Sequence, residues 1–233
     1  MDSVVGVDLS GISGSTKGRT VAAQIALEER PRLLDIVTIR RGIKGDRDLV
    51  DWIDERRPRV IAIDAPLTLP HSVFCGMSGC PRCLPGAASY LRRDVDRLAA
   101  GMPTAMLAAI AFRGIYLART LRGRAYEVIE TYPRASLRAL GVMGSHRMNS
   151  PAIAAALTGR VEGVATTDPD ELDAIAAALT AADFLRQPKP EPIEGLDGVI
   201  WIAASLPGEQ AEWGRGREYT HRGVREAGER ERK

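Results

Sequence analysis

The residues best suited to chemistry are five acids, Asp8, Asp64, Glu130, Asp170 and Asp173. Asp8 and Asp64 lie in the apolar runs VVGVDL and RVIAID, and Glu130 lies near the end of AYEVIET. The spacing of Asp170 and Asp173 places both carboxylates on the same flank of a helix. Carboxylates that converge repel one another and raise each other's pKa values unless cations neutralise them. The pattern therefore indicates a site for divalent cations.

Such a site would suit phosphodiester hydrolysis. Mg²⁺ and Mn²⁺ prefer carboxylate and water oxygens, and two ions roughly 4 Å apart can activate a water and stabilise a leaving oxygen. We expect Asp8 to bridge two ions, Asp64 and Asp173 to complete their coordination, and Glu130 or Asp170 to assist. Each acid alone also fits an ordinary role, such as a turn, a strand end or a helix N-terminus. The joint pattern carries the prediction.

The three cysteines form a second group, because Cys75, Cys80 and Cys83 follow one another closely and His71 precedes them. The spacing is typical of metal ligands, and three thiolates with one imidazole suit Zn²⁺. Alternatives are His146 or a carboxylate as the fourth ligand, an iron–sulfur cluster, or reduced cysteines that bind no metal. A zinc ion here would brace a long loop over the acidic site.

The segment GISGSTKG at residues 11–18 allows two interpretations. It lacks the ending of a Walker A loop, which favours a plain hairpin between two strands. In the second interpretation the segment is a phosphate-binding loop, with Thr16 and Lys17 near the phosphate. That interpretation supports an alternative function, an ATPase or phosphotransferase related to actin or the sugar kinases. Those proteins usually combine two such domains, and 233 residues leave room for one. A non-catalytic nucleic-acid-binding or interaction domain is the third hypothesis.

Arginines are numerous on the predicted middle helices, and they have two possible roles. They would contact a phosphate backbone, or they would form a solvated face paired with Asp94 and Asp96, which we favour for residues 92–97. We expect nucleic acid as the partner, but the sequence does not distinguish DNA from RNA. The arginines are Arg92, Arg93, Arg97, Arg113, Arg119, Arg122 and Arg124.

The elements that must position these residues follow from hydrophobic periodicity and turn signals. Strands are predicted at Val4–Leu9, Arg19–Leu27, Arg32–Arg40, Arg59–Asp64, Ala125–Thr131 and Gly198–Ala203. Helices are predicted at Asp46–Arg57, 87–100, 103–122, Pro133–Leu140, Ala152–Leu157 and Asp168–Leu185, with a loop over Ala65–Gly86. This order predicts an α/β fold whose mixed sheet opens with a three-strand meander. Ligands of such sheets bind beyond the carboxyl ends of the strands, where Asp8 and Asp64 lie.

Several of these segments resemble, in order, the domain-of-unknown-function family 429. They are GVDLSG, KGRT, VIAIDAPL, RG at Arg113–Gly114, YEVIETYPRASLRALG, DELDAIAAALTA and GVIWIA, within residues 3–204. The resemblance implies an RNase H-like fold and a predicted nuclease, with the acids carried by Asp8, Asp64 and one of Asp170 or Asp173. Its most specific parts are the Glu-x-Tyr-Pro element from Glu130 and the Asp-Ala-Pro-Leu element. The cysteines are not part of it.

Composition limits the remaining possibilities. Apolar residues make up 45% and charged residues 27%, which excludes a globally disordered chain. A net charge of +2 excludes a strongly basic protein that coats nucleic acid.

We expect one domain over residues 1–206 and a disordered, charged tail over 207–233. The start does not resemble a signal peptide and no apolar run reaches the ~20 residues of a membrane span. The expected location is cytoplasmic, and the oligomeric state is open.

Overall fold

The structure is a computed structural model that describes residues 1–10, 19–39, 43–75, 80, 93–99, 107–142, 146–195 and 197–203. Its strands are β1 (Ser3–Asp8), β2 (Thr20–Ala26), β3 (Arg32–Ile39), β4 (Val60–Asp64), β5 (Glu127–Thr131), β6 (Ile193–Gly195) and β7 (Gly198–Ile200). Its helices are α1 (Ile43–Arg56), α2 (His71–Phe74), α3 (Asp94–Leu98), α4 (Ala108–Arg122), α5 (Pro133–Ala139), α6 (His146–Arg160) and α7 (Pro169–Phe184). Predictions for Thr16, Lys17, Cys83, Arg92, the His146 side chain and the tail over 207–233 fall outside the described residues.

The central sheet has five strands in the order β3-β2-β1-β4-β5. Strand β2 is antiparallel to both β1 and β3, which confirms the predicted meander. Strands β4 and β5 continue the sheet in parallel with β1. This order and these directions are those of an RNase H-like fold, so the predicted fold class is confirmed.

Helices cover both faces of this sheet. Strand β1 alternates between the faces, as the pleat requires. Val4 packs in the core beneath α5, α6 and α7, whereas Val5 and Val7 pack in the core beneath α1 and α4. In the described part of the chain, no helix combines the length and the apolar character needed to cross a membrane.

Helix α7 lies directly on β1 because Gly6 has no side chain. A Cβ atom at Gly6 would come within 2.1 Å of the Ala178 nitrogen and 2.3 Å of the Ala174 oxygen. The small alanines of α7 and this glycine therefore allow the two backbones to approach closely. Since α7 is held in this place, Asp173 on its first turns lies beside the end of β1.

The segment after β4 and the closing strand differ from the predictions. The predicted loop over Ala65–Gly86 contains the short helix α2. The predicted closing strand pairs mainly with β6 in a separate two-stranded sheet, and Trp201 forms an isolated bridge to Thr131 of the main sheet. The pattern GVIWIA predicts extended backbone, but strand pairing depends on a partner, β6, that is too short and too exposed to be recognised in the sequence.

Helix boundaries differ from the predictions mostly in length. The helix predicted at Ala152–Leu157 is the centre of the longer α6, which begins before Pro151. The described parts of the helices predicted at 87–100 and 103–122 are α3 and α4. Helix α7 has a side-chain cap at its start, since the Asp168 side chain accepts the backbone N–H groups of Asp170 and Glu171.

Candidate active site at the strand ends

Asp8 and Asp64 lie opposite each other at the carboxyl ends of neighbouring parallel strands. The β1–β4 register pairs these two residues directly, and Thr131 of β5 follows next to Asp64. Asp173 reaches the same point from α7, and the three carboxylates line a cavity of about 220 Å³. Glu130 lines the cavity as well. The structure thus brings together four of the five predicted acids.

The cavity is unfavourable for so many negative charges. Burial raises the pKa of Asp8 and of Asp64 well above the ordinary range, and the neighbouring Asp173 carboxylate raises both further. Burial also raises the pKa of Asp173 to about 7, although the Arg134 guanidinium opposes that shift. Near neutral pH, the three aspartates therefore favour a bound proton or a bound cation.

The donor set fits a hard divalent ion. Carboxylate oxygens are the ligands that Mg²⁺ and Mn²⁺ prefer. One of them, Oδ1 of Asp173, is buried and accepts no hydrogen bond from the described residues, although Asp173 has a further interaction with the protein.

Glu130 is held by a buried ion pair with Arg93. The Arg93 Nη1 atom donates to Glu130 Oε2 at 2.8 Å, and the Leu67 backbone N–H donates to the same oxygen at 2.8 Å. Arg93 Nη2 donates to Oε1 of Glu130, and its Nε atom donates to Asp96 Oδ1 at 3.0 Å. Both oxygens of Glu130 are therefore engaged by the protein. Burial raises the pKa of Glu130, and the Arg93 charge opposes that shift.

Arg93 corrects the expected solvated face, because its side chain is only 1% exposed. The predicted pairing of Arg93 with Asp96 is present, but the predicted exposure to solvent is wrong. Arg97 follows the expectation, since it forms an exposed pair with Asp94 at 2.7 Å. The physical difference is that Arg93 faces β5 and finds a second carboxylate there, whereas Arg97 on the next turn faces solvent.

Arg113 is also buried, which excludes both roles considered for it. Its Nε atom donates to Asp46 Oδ1 at 2.7 Å, and its Nη1 atom donates to the Ser10 carbonyl oxygen at 2.6 Å and to Thr20 Oγ1 at 2.9 Å. Arg113 therefore fixes the chain just after β1 against the start of β2. It contributes to the site by holding the strand that carries Asp8.

Asp170 lies at the rim and not in the cavity. Arg19 Nε donates to Asp170 Oδ2 at 2.9 Å, and the same guanidinium pairs with Asp168. The Asp170 charge still contributes to the raised pKa of Asp8. Of the two candidates on α7, Asp173 is the one whose side chain lines the cavity.

Arg134 is the cavity residue that the sequence analysis missed. It lines the cavity from the start of α5, and its charge lowers the pKa values of Asp64 and Asp173. The available signal was its position directly after the Glu-x-Tyr-Pro element, because a residue just beyond a strand end reaches the same edge of the sheet as the strand-end acids.

Comparisons with known proteins give fold likenesses only. No family model matches the chain, and no curated protein matches it. A structure of RuvC from Thermus thermophilus is similar with a TM-score of 0.47 and 13% identity over 84% of this chain and 99% of that chain. T. thermophilus RuvC in complex with Holliday junction substrate has a TM-score of 0.46 and 15% identity over the same shares. The fowlpox virus Holliday junction resolvase has a TM-score of 0.42 and 11% identity over 78% and 99%.

Asp173→Asn is expected to stabilise the metal-free protein at high pH. Folding raises the Asp173 pKa from 3.8 to about 7. The protonated Asp173 therefore contributes to the stability of the wild type at low pH, and this contribution decreases as the pH rises from the lower to the upper value and is absent above it. The variant avoids this loss. In EDTA its free energy of unfolding should exceed that of wild type by about 1–4 kcal/mol near pH ~8 and match it near pH ~4, as measured by urea titration.

Asp183 on the same helix supplies the matched control. It is buried and paired with Arg160 at 3.2 Å and Arg186 at 3.3 Å. Asp183→Asn removes the negative charge that these two arginines neutralise, and it should therefore destabilise the protein by about 3 kcal/mol. A destabilising Asp173→Asn variant near pH ~8 would contradict the assigned electrostatics.

Proposed function

We propose that this protein is a divalent-metal-dependent nuclease that hydrolyses phosphodiester bonds. The observation that supports this function is the convergence of Asp8, Asp64 and Asp173 in one cavity at the ends of adjacent parallel strands. A group of buried, mutually repelling carboxylates is costly to keep unless it binds cations. The motif order also supports our proposal that the chain belongs to the domain-of-unknown-function family 429.

Asp8, Asp64 and Asp173 would hold Mg²⁺ or Mn²⁺. The cations would offset the repulsion between these three buried carboxylates. When bound, such ions supply an activated water and stabilise the charge on a leaving oxygen. Arg134 at the cavity would bind a phosphate oxygen and orient the scissile group. The Arg93–Glu130 pair would hold the loop after β4, and therefore Asp64, in place.

Cleavage of a panel of labelled nucleic acids tests this function. The full chain is incubated with branched DNA, duplex DNA, RNA–DNA hybrid and single strands of both kinds, in Mg²⁺, Mn²⁺ or EDTA. Cleavage that requires the metal is expected with at least one substrate. Hydrolysis of ATP without cleavage would instead support a phosphotransferase or ATPase. Absence of both activities, with no Mn²⁺ bound at millimolar concentration, would indicate a non-catalytic domain.

Arg134→Gln is expected to lower kcat/KM for cleavage on the order of tenfold to a hundredfold, because a cation that contacts the reacting phosphate is lost. Steady-state kinetics on the best substrate of the panel measure this effect. Arg138, one turn later on α5 and exposed, is the matched control, and Arg138→Gln should keep the wild-type value. Equal rates for the two variants would exclude Arg134 from the site.

A further inference from the structure

His71, Cys75 and Cys80 are gathered at α2, outside the acid cavity. One ligand atom from each lies within 4.8 Å of the other two, and Cys80 Sγ is 3.7 Å from His71 Nε2. Neither cysteine forms a disulfide, and both are half-buried. We propose that these three residues bind a structural Zn²⁺ ion.

The chemistry of the set favours zinc over the ions of the acid cavity. Thiolate sulfur and imidazole nitrogen are the preferred ligands of Zn²⁺, whereas Mg²⁺ and Mn²⁺ prefer oxygen. A tetrahedral zinc with bonds of about 2.0–2.3 Å holds its ligand atoms about 3.3–3.8 Å apart. The Sγ–Nε2 distance of 3.7 Å already has this value. A tetrahedral ion bound by these residues keeps a fourth position for another ligand.

The zinc site is joined by hydrogen bonds to the wall of the acid cavity. The backbone N–H of His71 donates to Asp197 Oδ2 at 3.3 Å, and the backbone N–H of Asp94 donates to Asp197 Oδ1 at 2.8 Å. Thr68 donates to the Asp197 carbonyl oxygen at 2.6 Å and accepts from Arg93 Nη1 at 2.8 Å. A zinc ion would therefore stabilise the segment after β4 together with the residue that binds Glu130.

Metal analysis of the full chain, purified under reducing conditions without chelator, tests the site. One zinc ion per chain is expected by mass spectrometry of the metals. Cys75→Ser, Cys80→Ser and His71→Asn should each weaken zinc binding at least about 100-fold in competition with a chromogenic chelator. Val73→Ala changes an exposed residue of the same helix and should bind zinc as the wild type does.

Two further measurements separate this site from the acid cavity and from a folding defect. Asp8→Asn should keep its zinc, because the aspartates are not ligands of this ion. The Co²⁺-substituted wild type should show thiolate-to-metal charge-transfer absorption. Removal of zinc from the zinc-loaded wild type should lower the unfolding temperature. Reduced protein that binds neither Zn²⁺ nor Co²⁺, iron in place of zinc, or zinc loss in Asp8→Asn with retention in the cysteine variants would overturn the proposal.

Discussion

Asp8→Asn and Asp64→Asn should each reduce metal-dependent cleavage at least about a thousandfold while the protein stays folded. Asparagine keeps the shape of the side chain but removes an anionic oxygen ligand. Folding should not suffer, because burial and neighbouring carboxylates already raise the pKa of both aspartates and make their charged forms unfavourable. Cleavage rates in Mn²⁺ and circular dichroism of the same samples measure the two halves of this expectation.

Asp2→Asn is the matched control, because Asp2 precedes the same strand and its side chain is 66% exposed in a pair with Arg59. It should keep full activity. Mn²⁺ adds an independent readout, since it should raise the unfolding temperature of the wild type and of Asp2→Asn more than that of Asp8→Asn. Full cleavage activity in Asp8→Asn or Asp64→Asn would refute the assignment of the site.

Arg93→Met should destabilise the protein by about 3–5 kcal/mol, the largest stability effect that we expect. The side chains of Arg93, Asp96 and Glu130 are only 1%, 5% and 6% exposed. Methionine fills a similar volume but leaves two buried carboxylates without their cation. Urea titration near neutral pH measures the loss, and the loop after Asp64 should become more accessible to protease.

Arg97→Met is the control in the same segment, because Arg97 on α3 forms an exposed pair with Asp94, and such pairs contribute about 0–1 kcal/mol. Adding Glu130→Gln and Asp96→Asn to Arg93→Met should recover much of the lost stability, since the buried charges are then removed together. A loss in Arg93→Met no larger than that in Arg97→Met would show that the buried pair does not stabilise the fold.

The strand-end acids were predictable because their signals are local. An apolar run that ends in an acid indicates a buried strand whose last residue reaches the edge of the sheet, and this holds for Asp8 and Asp64. The helical spacing of Asp170 and Asp173 was equally local. The sequence analysis favours Asp173 over Asp170 as a ligand, but the position of Asp173 in the cavity depends on the rotation of α7 about its axis and on its close contact with Gly6.

The buried arginines were not predictable. The segment around Arg93 has the composition of a solvated helix, and its partner Glu130 is 37 residues away in the chain. Arg113 is likewise joined to Asp46 over 67 residues. Burial of a charged side chain depends on compensation by partners that only the fold brings near, so local composition predicts the common exposed case and misses these two.

The sequence by itself determined the α/β class, the meander, the strands that carry Asp8 and Asp64, and the presence of α7, because periodicity and turn residues act over a few neighbouring positions. The tertiary structure alone decided that Asp8 and Asp64 are cross-strand neighbours, that Asp173 joins them, and that Arg93 neutralises Glu130. These relations depend on strand order, helix rotation and the exclusion of water. Those properties arise only when distant segments pack together, and they bring Asp8, Asp64 and Asp173 into one cavity that favours cations.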